Sequence, residues 1–395
     1  MRRLTSLAAL LSLFAPLVPS STARADDEIR LRGNYWRDRN TRILAPEASL
    51  RKEYATGTSV EASYLLDAIT SASVSAGVLT DQPFTELRNE VGARVGQKVG
   101  PATLGASYRY STESDYWSHT GGVTAGVDLL QKNLTLAASY FYTRAEVAQR
   151  ASAVGYLWAA DSRKREDSQL DTHYASFAVS QVLSRRALVE GGYELVVNDG
   201  YQANPYRRAL VSGNPLREEV PSLRVRHTVT GALRLTPAYN VGPLKYLSLY
   251  AKYRLYADDW HVNAHAPELR AYAALGPVSL RLTGRYYWQS QADFYVDGKG
   301  DGTGAPGYNM GVSRAHCPTQ GCYTGDAKLA KFSSIFFEGR VDLSLRFLDR
   351  PGSPISSFLG RSVVGVSLGH YWNDNYANAQ FGDAWVGGFE VVTPL

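Results

Sequence analysis

The residues with the greatest capacity for chemistry are basic side chains set at alternate positions in otherwise apolar stretches. Arg224, Arg226 and Arg234 fall in LRVRHTVTGALRLT, Lys252 and Arg254 in KYLSLYAKYRLYADDW, and Arg270 in PELRAYAAL. Arg281 and Arg285 fall in VSLRLTGRYYWQ, and Glu338, Arg340, Asp342 and Arg346 in IFFEGRVDLSLRF. A dry core does not hold repeated charges without a large desolvation penalty. The face that carries them is therefore wet, or its charges are mutually paired. Two readings stay open. The arginines line an anion-favouring path, or they pair with Glu190, Glu194, Glu268, Glu338 and Asp342 into a salt-bridged network that fills the interior.

Other constellations point less far. His261 and His265 alternate with Asn263 near Asp258 and Glu268, a set suited to a metal or proton-transfer site or simply to filling a polar interior. Asp297-Gly298-Lys299-Gly300-Asp301-Gly302 begins like a calcium loop, but Lys299 takes a ligand position and Tyr308 stands where the bidentate Glu belongs, so a Gly/Asp loop is expected. His316, Cys317 and Cys322 match neither zinc nor haem spacing, and two cysteines five apart in an exported chain predict a disulfide between Cys317 and Cys322. Ser118 and His119 are adjacent on a strand and point to opposite faces, which rules out a direct nucleophile and base pair. The expectation is of no enzyme, with no catalytic, metal or cofactor site.

The elements that must position these side chains have a period of two. Leu247, Leu249, Ala251, Tyr253, Leu255 and Ala257 oppose Ser248, Lys252, Arg254 and Asp258, and Val278, Leu280, Leu282, Tyr286 and Trp288 oppose Ser279, Arg281, Thr283, Arg285 and Gln289. The same alternation sets Ile335, Phe337, Val341, Leu343, Leu345 and Phe347 against Glu338, Arg340, Asp342 and Arg346. Strands apolar on one face and charged on the other, with no free edge, are those of a closed barrel in lipid. In one segment the parity slips: Trp260, Val262 and Ala264 are outward on even numbers, Leu269, Ala271 and Ala273 on odd, and Pro267 marks the expected bulge.

Composition agrees. The chain holds 26 Tyr and 35 Gly against 12 Phe and 2 Met, as aromatic girdles and crowded strands require. Mean hydropathy is −0.25, and no window reaches the ~18 continuous apolar residues of a membrane helix. The net charge of +5 comes from interspersed signs, so no nucleic-acid partner is expected. Met1-Arg2-Arg3, an apolar run from Leu7 to Val18 and Ala23-Arg24-Ala25 read as a cleaved signal peptide over residues 1–25. Residues 26–395 then form one all-β domain, a transmembrane antiparallel up-and-down barrel of about sixteen strands. Nearly every long connection follows an odd-numbered strand and nearly every short one an even-numbered strand, the asymmetry of extracellular loops and periplasmic turns.

Four segments resemble a family of Gram-negative outer-membrane β-barrel proteins known only as a domain of unknown function. They are Leu66 to Ser73, Gly200 to Arg207, Pro221 to His227, and Tyr286 to Tyr295. The resemblance implies the barrel and the cell outer membrane and supplies no activity. The expected partners are outer-membrane lipid and the barrel-assembly machinery, with a small polar solute, an anion where the arginines line the path, as cargo. The expected function is a porin-like pore or binding channel for that solute; the alternative is a closed barrel that acts as an anchor or partner platform through its extracellular loops.

Overall fold

A computed structural model describes residues 27–38, 41–71, 84–113, 116–147, 169–204, 208–211, 214–296, 314–319, 321–350, 352–375 and 382–395. The expected signal peptide at residues 1–25 and the Asp297 to Gly302 stretch lie outside these residues. The first nine strands are β1 (Glu28–Arg37), β2 (Thr41–Glu53), β3 (Thr58–Ser71), β4 (Phe84–Val99), β5 (Ala102–Thr112), β6 (Tyr116–Leu129), β7 (Leu134–Val147), β8 (Gln169–Ser184) and β9 (Ala187–Gly200). A short hairpin, β10 (Arg208–Val211) and β11 (Asn214–Arg217), stands apart from the main sheet. The second run is β12 (Leu223–Val241), β13 (Leu244–Asp258), β14 (Asn263–Leu275), β15 (Val278–Gln289), β16 (Phe332–Ser344), β17 (Val363–Asn375) and β18 (Ala384–Pro394).

The main sheet closes as a barrel in which sequence neighbours pair antiparallel, β9 pairs β12, and β18 returns to β1. Closure over sixteen strands leaves no edge, which lipid demands because it offers backbone groups no hydrogen-bond partner. The two rims differ. One carries the tight turns 54–57, 100–101, 130–133, 185–186, 242–243 and 276–277, and the other the long connections, including 201–222 and 290–331. The exception on the tight rim is 345–362, which holds a single helical turn pair, α1 (Pro354–Gly360), capped by the Ser353 hydroxyl accepting from the Ser356 amide.

The outer wall is apolar in a way only lipid tolerates. Leu269 is 68% exposed, Leu282 64% and Val123 57%, and Leu249, Leu255, Ile335, Phe337 and Val341 are exposed beside them. Toward the long-loop rim this face ends in aromatics joined to histidine. Tyr108, Tyr140, Tyr193 and Tyr253 each place the hydroxyl 2.6 to 2.9 Å from Nδ1 of His119, His173, His227 and His265 respectively. His370 sits between Trp372 and Trp385, each ring centroid 4.4 Å away. These Tyr, Trp and His rings form the girdle expected where one end of a side chain is apolar and the other wet.

The structure corrects the parity slip. His265 pairs Leu255 and Trp288 on the lipid face, while Ala264 and Glu268 face inward, and the β14 to β15 register is the same on both sides of Pro267. The ladder merely skips Ala266 and Pro267, as a residue without an amide donor requires. Trp260 and Val262 belong to a buried cluster under the loops rather than to the lipid face. His261 adopts φ 64° in the β13 to β14 turn, bonded to Asp293 rather than aligned with His265. The other correction concerns the end of β16. The strand stops at Ser344, and Arg346, Phe347 and Leu348 form an exposed helical turn at the tight-turn rim. Arg346 is therefore not a lumen residue, because the three-residue turn breaks the period of two.

Close approach fixes some inward positions. Phe141 lies over Gly122 of the neighbouring strand, where any added Cβ would collide with the ring. Gly122→Val should cost about 1–3 kcal/mol by overpacking, read as a lower temperature for conversion of the folded to the unfolded gel band. The barrel itself should give β-rich circular dichroism in detergent and different mobility before and after boiling; release with the soluble periplasmic fraction would contradict it.

Candidate functional site

The inner wall holds charge by pairing it across strands. Row partners Arg32 and Glu390 lie on β1 and β18, and Arg32 Nε donates to Glu390 Oε1 at 2.8 Å across the closing seam. Arg340 Nη2 donates to Glu390 Oε2 at 2.5 Å and Nε to Asp342 Oδ1 at 2.8 Å. This reach from β16 to β18 passes over β17 at Gly365, where a Cβ would meet Arg340 and Asp342. Glycine here leaves room for the Arg340 to Glu390 bridge between β16 and β18, since an added Cβ would force the Arg340 and Asp342 side-chain ends to shift.

The same logic continues around the wall. Arg281 Nη2 donates to Glu338 Oε1 at 2.6 Å, Arg270 pairs Glu268 at 2.6 Å, and Arg254 pairs Glu194 at 3.2 Å. Arg224 Nε donates to Asp258 Oδ2 at 2.9 Å, and its guanidinium lies 4.1 Å from the Trp260 ring centre. Other cations rest on neutral groups. Arg226 donates to Asn198 Oδ1 at 2.7 Å, Arg234 lies over the Tyr250 and Tyr272 rings, and Arg285 donates to the Tyr371 hydroxyl at 2.7 Å while facing the Phe336 ring. The sequence-predicted lumen residues Arg224, Arg226, Arg234, Lys252, Arg254, Arg270, Arg281, Arg285, Glu338, Arg340 and Asp342 thus all lie on inward positions.

Above part of this wall sits a cap of loop segments. Trp260, Val262, Ala292, Phe294, Tyr295, Cys322, Leu329 and Ala330 form its buried core, with Val220, Tyr256 and Cys317 packed against it. Gln289, at the end of β15, fastens it by donating from Nε2 to the Lys328 and Ala330 carbonyls at 2.8 and 2.7 Å. Arg314 adds an ion pair to Asp293 at 3.3 Å and a bond to the Asp259 carbonyl. Cys317 and Cys322 are disulfide-bonded, with Cα atoms 5.5 Å apart. No local pattern marks this apolar core, because its residues come from two connections far apart in the chain, with Val220 from a third packed against them.

Beneath the cap is a cavity of about 380 Å³. Its lining includes Arg224, Lys252, Arg254, Arg285 and Lys328, against Glu268 as the lone carboxylate, with Tyr256, Tyr287 and Gln289 between them. Among the described residues no three His, Cys, Asp or Glu converge as metal ligands. Ser118 is buried inside while His119 faces lipid, and they share no bond.

A closed sixteen-stranded sheet, apolar outside and ion-paired inside, is the architecture of an outer-membrane β-barrel. The chain belongs to the family described as protein of unknown function (DUF3570), which matches residues 79–347. Its fold is similar to that of a bacterial polysaccharide outer membrane secretin, with a TM-score of 0.52 at 8% identity over 95% of this chain and 100% of that one. It is also similar, at TM-score 0.47 and 8% identity, to OccD3 (OpdP) from Pseudomonas aeruginosa, over 94% of this chain and 91% of the other. No curated protein matches the sequence.

The disulfide closes a small ring in the cap, away from every barrel ladder. Cys317→Ser with Cys322→Ser should therefore leave the heat-modifiable barrel intact. Intact-mass measurement of membrane-isolated protein with and without reductant should show the two-proton difference; two free thiols would contradict the pairing.

Proposed function

We propose that the protein is an outer-membrane channel that binds and passes a small polar, anionic solute, exported by means of a signal peptide at residues 1–25 and assembled by the barrel-assembly machinery. The observation that carries this reading is the cavity under the cap, with five basic side chains and one acidic one. In a confined, partly dehydrated path a modest excess of cations focuses potential and concentrates anions. The proposed role is passage, because the groups that line this cavity are mostly cations and hydrogen-bond donors suited to holding an anion.

A second reading is the closed barrel that serves as an anchor or partner platform through its extracellular loops. What favours it is the cap itself, whose buried aromatic core occupies the long-loop rim, together with the paired charges across the seam.

Single-channel recording separates the two. The channel reading predicts discrete conductance steps and a zero-current potential under a salt gradient of the sign for mild anion preference. Replacing Arg281 and Arg285 together by Glu should move that potential toward cation preference. Absence of steps from refolded protein would favour the platform. Conductance with unchanged selectivity in the double variant would keep the pore and remove these two residues from its selective path.

A further inference from the structure

The cavity under the cap is not uniformly charged, and its residual charge has a pattern. Lys252, Glu268, Arg285, Phe336 and Tyr371 form one cross-strand row over β13, β14, β15, β16 and β17. Neighbouring strands are ~4.8 Å apart, so the Lys252 and Arg285 backbones stand about 10 Å from each other with Glu268 between them. The Glu268 carboxylate is buried and held by Arg270 at 2.6 Å. Two further lining cations are also matched, Arg224 by Asp258 and Arg254 by Glu194. Among the described residues the remaining lining cations, Lys252, Arg285 and Lys328, have no carboxylate ion pair, and of these Lys328 is exposed on the cap while Lys252 and Arg285 sit on the barrel wall.

Lys252 and Arg285 are half-buried, which makes the lack of a counter-charge costly unless a ligand supplies one. Arg285 is also pre-oriented. Its bond to the Tyr371 hydroxyl and its contact with the Phe336 and Tyr371 rings hold the guanidinium plane, leaving N–H groups for a further acceptor. Gln289 Nε2 is spent on the cap and the Tyr287 hydroxyl donates to Gln289 Oε1 at 2.6 Å. On the half-buried wall of the cavity two separated cations, rather than a converging set of neutral donors, are what remain to recognise an anion, with the exposed Lys328 above them.

We propose that this cavity is a binding subsite for a small dicarboxylate, one carboxylate on Lys252 and the other on Arg285. This rests on the reading of the lumen as an anion path and adds the solute's class. A volume of about 380 Å³ lies at the low end of small-molecule pockets, which suits a short chain with a charge at each end. A monoanion satisfies one cation and leaves the other unmatched. A compact dianion such as sulfate reaches one cation closely and the second poorly, because Coulomb attraction falls with separation.

The test is calorimetric titration of the refolded full chain in detergent with succinate, acetate and sulfate, folding being verified by gel mobility without boiling. Succinate should bind at least tenfold more tightly than acetate or sulfate. Lys252→Gln and Arg285→Gln should each weaken succinate by about tenfold or more, the loss typical of a charge-assisted hydrogen bond, and Lys252→Arg should restore most of the affinity. Equal affinity for acetate and succinate, tighter binding of sulfate, unchanged succinate affinity in both Gln variants, or no binding heat from folded protein would each overturn the proposal. The outcome is independent of conductance. Succinate binding without channel steps keeps the subsite and discards passage, whereas channel steps without succinate binding keep the pore and discard the subsite.

Discussion

Every other feature of this molecule depends on the requirement that no backbone amide or carbonyl be left open to lipid. A sheet meets that requirement only by closing, and here closure joins the first and last strands along a ten-residue ladder from Glu28 and Pro394 to Arg37 and Trp385. Side chains reinforce the junction. Glu390 on β18 accepts from Arg32 directly across the seam and from Arg340 two strands away on the other side, where Gly365 leaves the intervening strand bare. The ion pairs are partly exposed to the lumen, so their individual contributions are modest. Their geometry nonetheless selects one register, since a slip of one residue would turn Arg32 toward lipid.

Closure also explains how charge is distributed. Once the apolar side chains face lipid, the alternate positions have nowhere to go but inward, and a sheet this wide leaves an interior that side chains alone do not fill. The wall answers mostly by cross-strand compensation: Arg281 with Glu338, Arg254 with Glu194, Arg270 with Glu268. Where aromatics replace carboxylates, as around Arg234 and Arg285, the cation keeps its charge uncancelled. The proposed anion preference therefore rests on which partners the cations lack more than on how many cations there are.

Much of the barrel was legible in the sequence because a period of two is a local property. Strands such as Leu223–Val241 and Val278–Gln289 announce both faces through nearest neighbours alone, and loop lengths sort by rim without any knowledge of pairing. The cavity was legible only in part. Each inward Arg could be named, but whether Arg281 and Arg285, four residues apart on one strand, meet a carboxylate or a phenol depends on Glu338 and Tyr371 from other strands. The histidine girdle was hidden for the same reason: His119, His173, His227 and His265 are single residues in unrelated segments until the register sets a tyrosine hydroxyl beside each.

The misreading near Pro267 shows where local periodicity fails. Trp260 and Val262 are large and apolar, and in a barrel that identity ordinarily means lipid. They face inward because the cap gives the long-loop rim a second, dry environment, built from Phe294, Tyr295 and Leu329 far along the chain. That environment also shapes the chemistry below it. By stacking Trp260 on Arg224 and tying Gln289 to the Lys328 and Ala330 carbonyls, the cap engages two of the groups that line the cavity. Lys252 and Arg285 are left facing the cavity under a low-dielectric roof, where an unmatched cation attracts anions more strongly than it would in an open, water-filled lumen. The apolar cap and the basic pocket are thus one arrangement, and neither acquires its meaning from the sequence segment that contributes it.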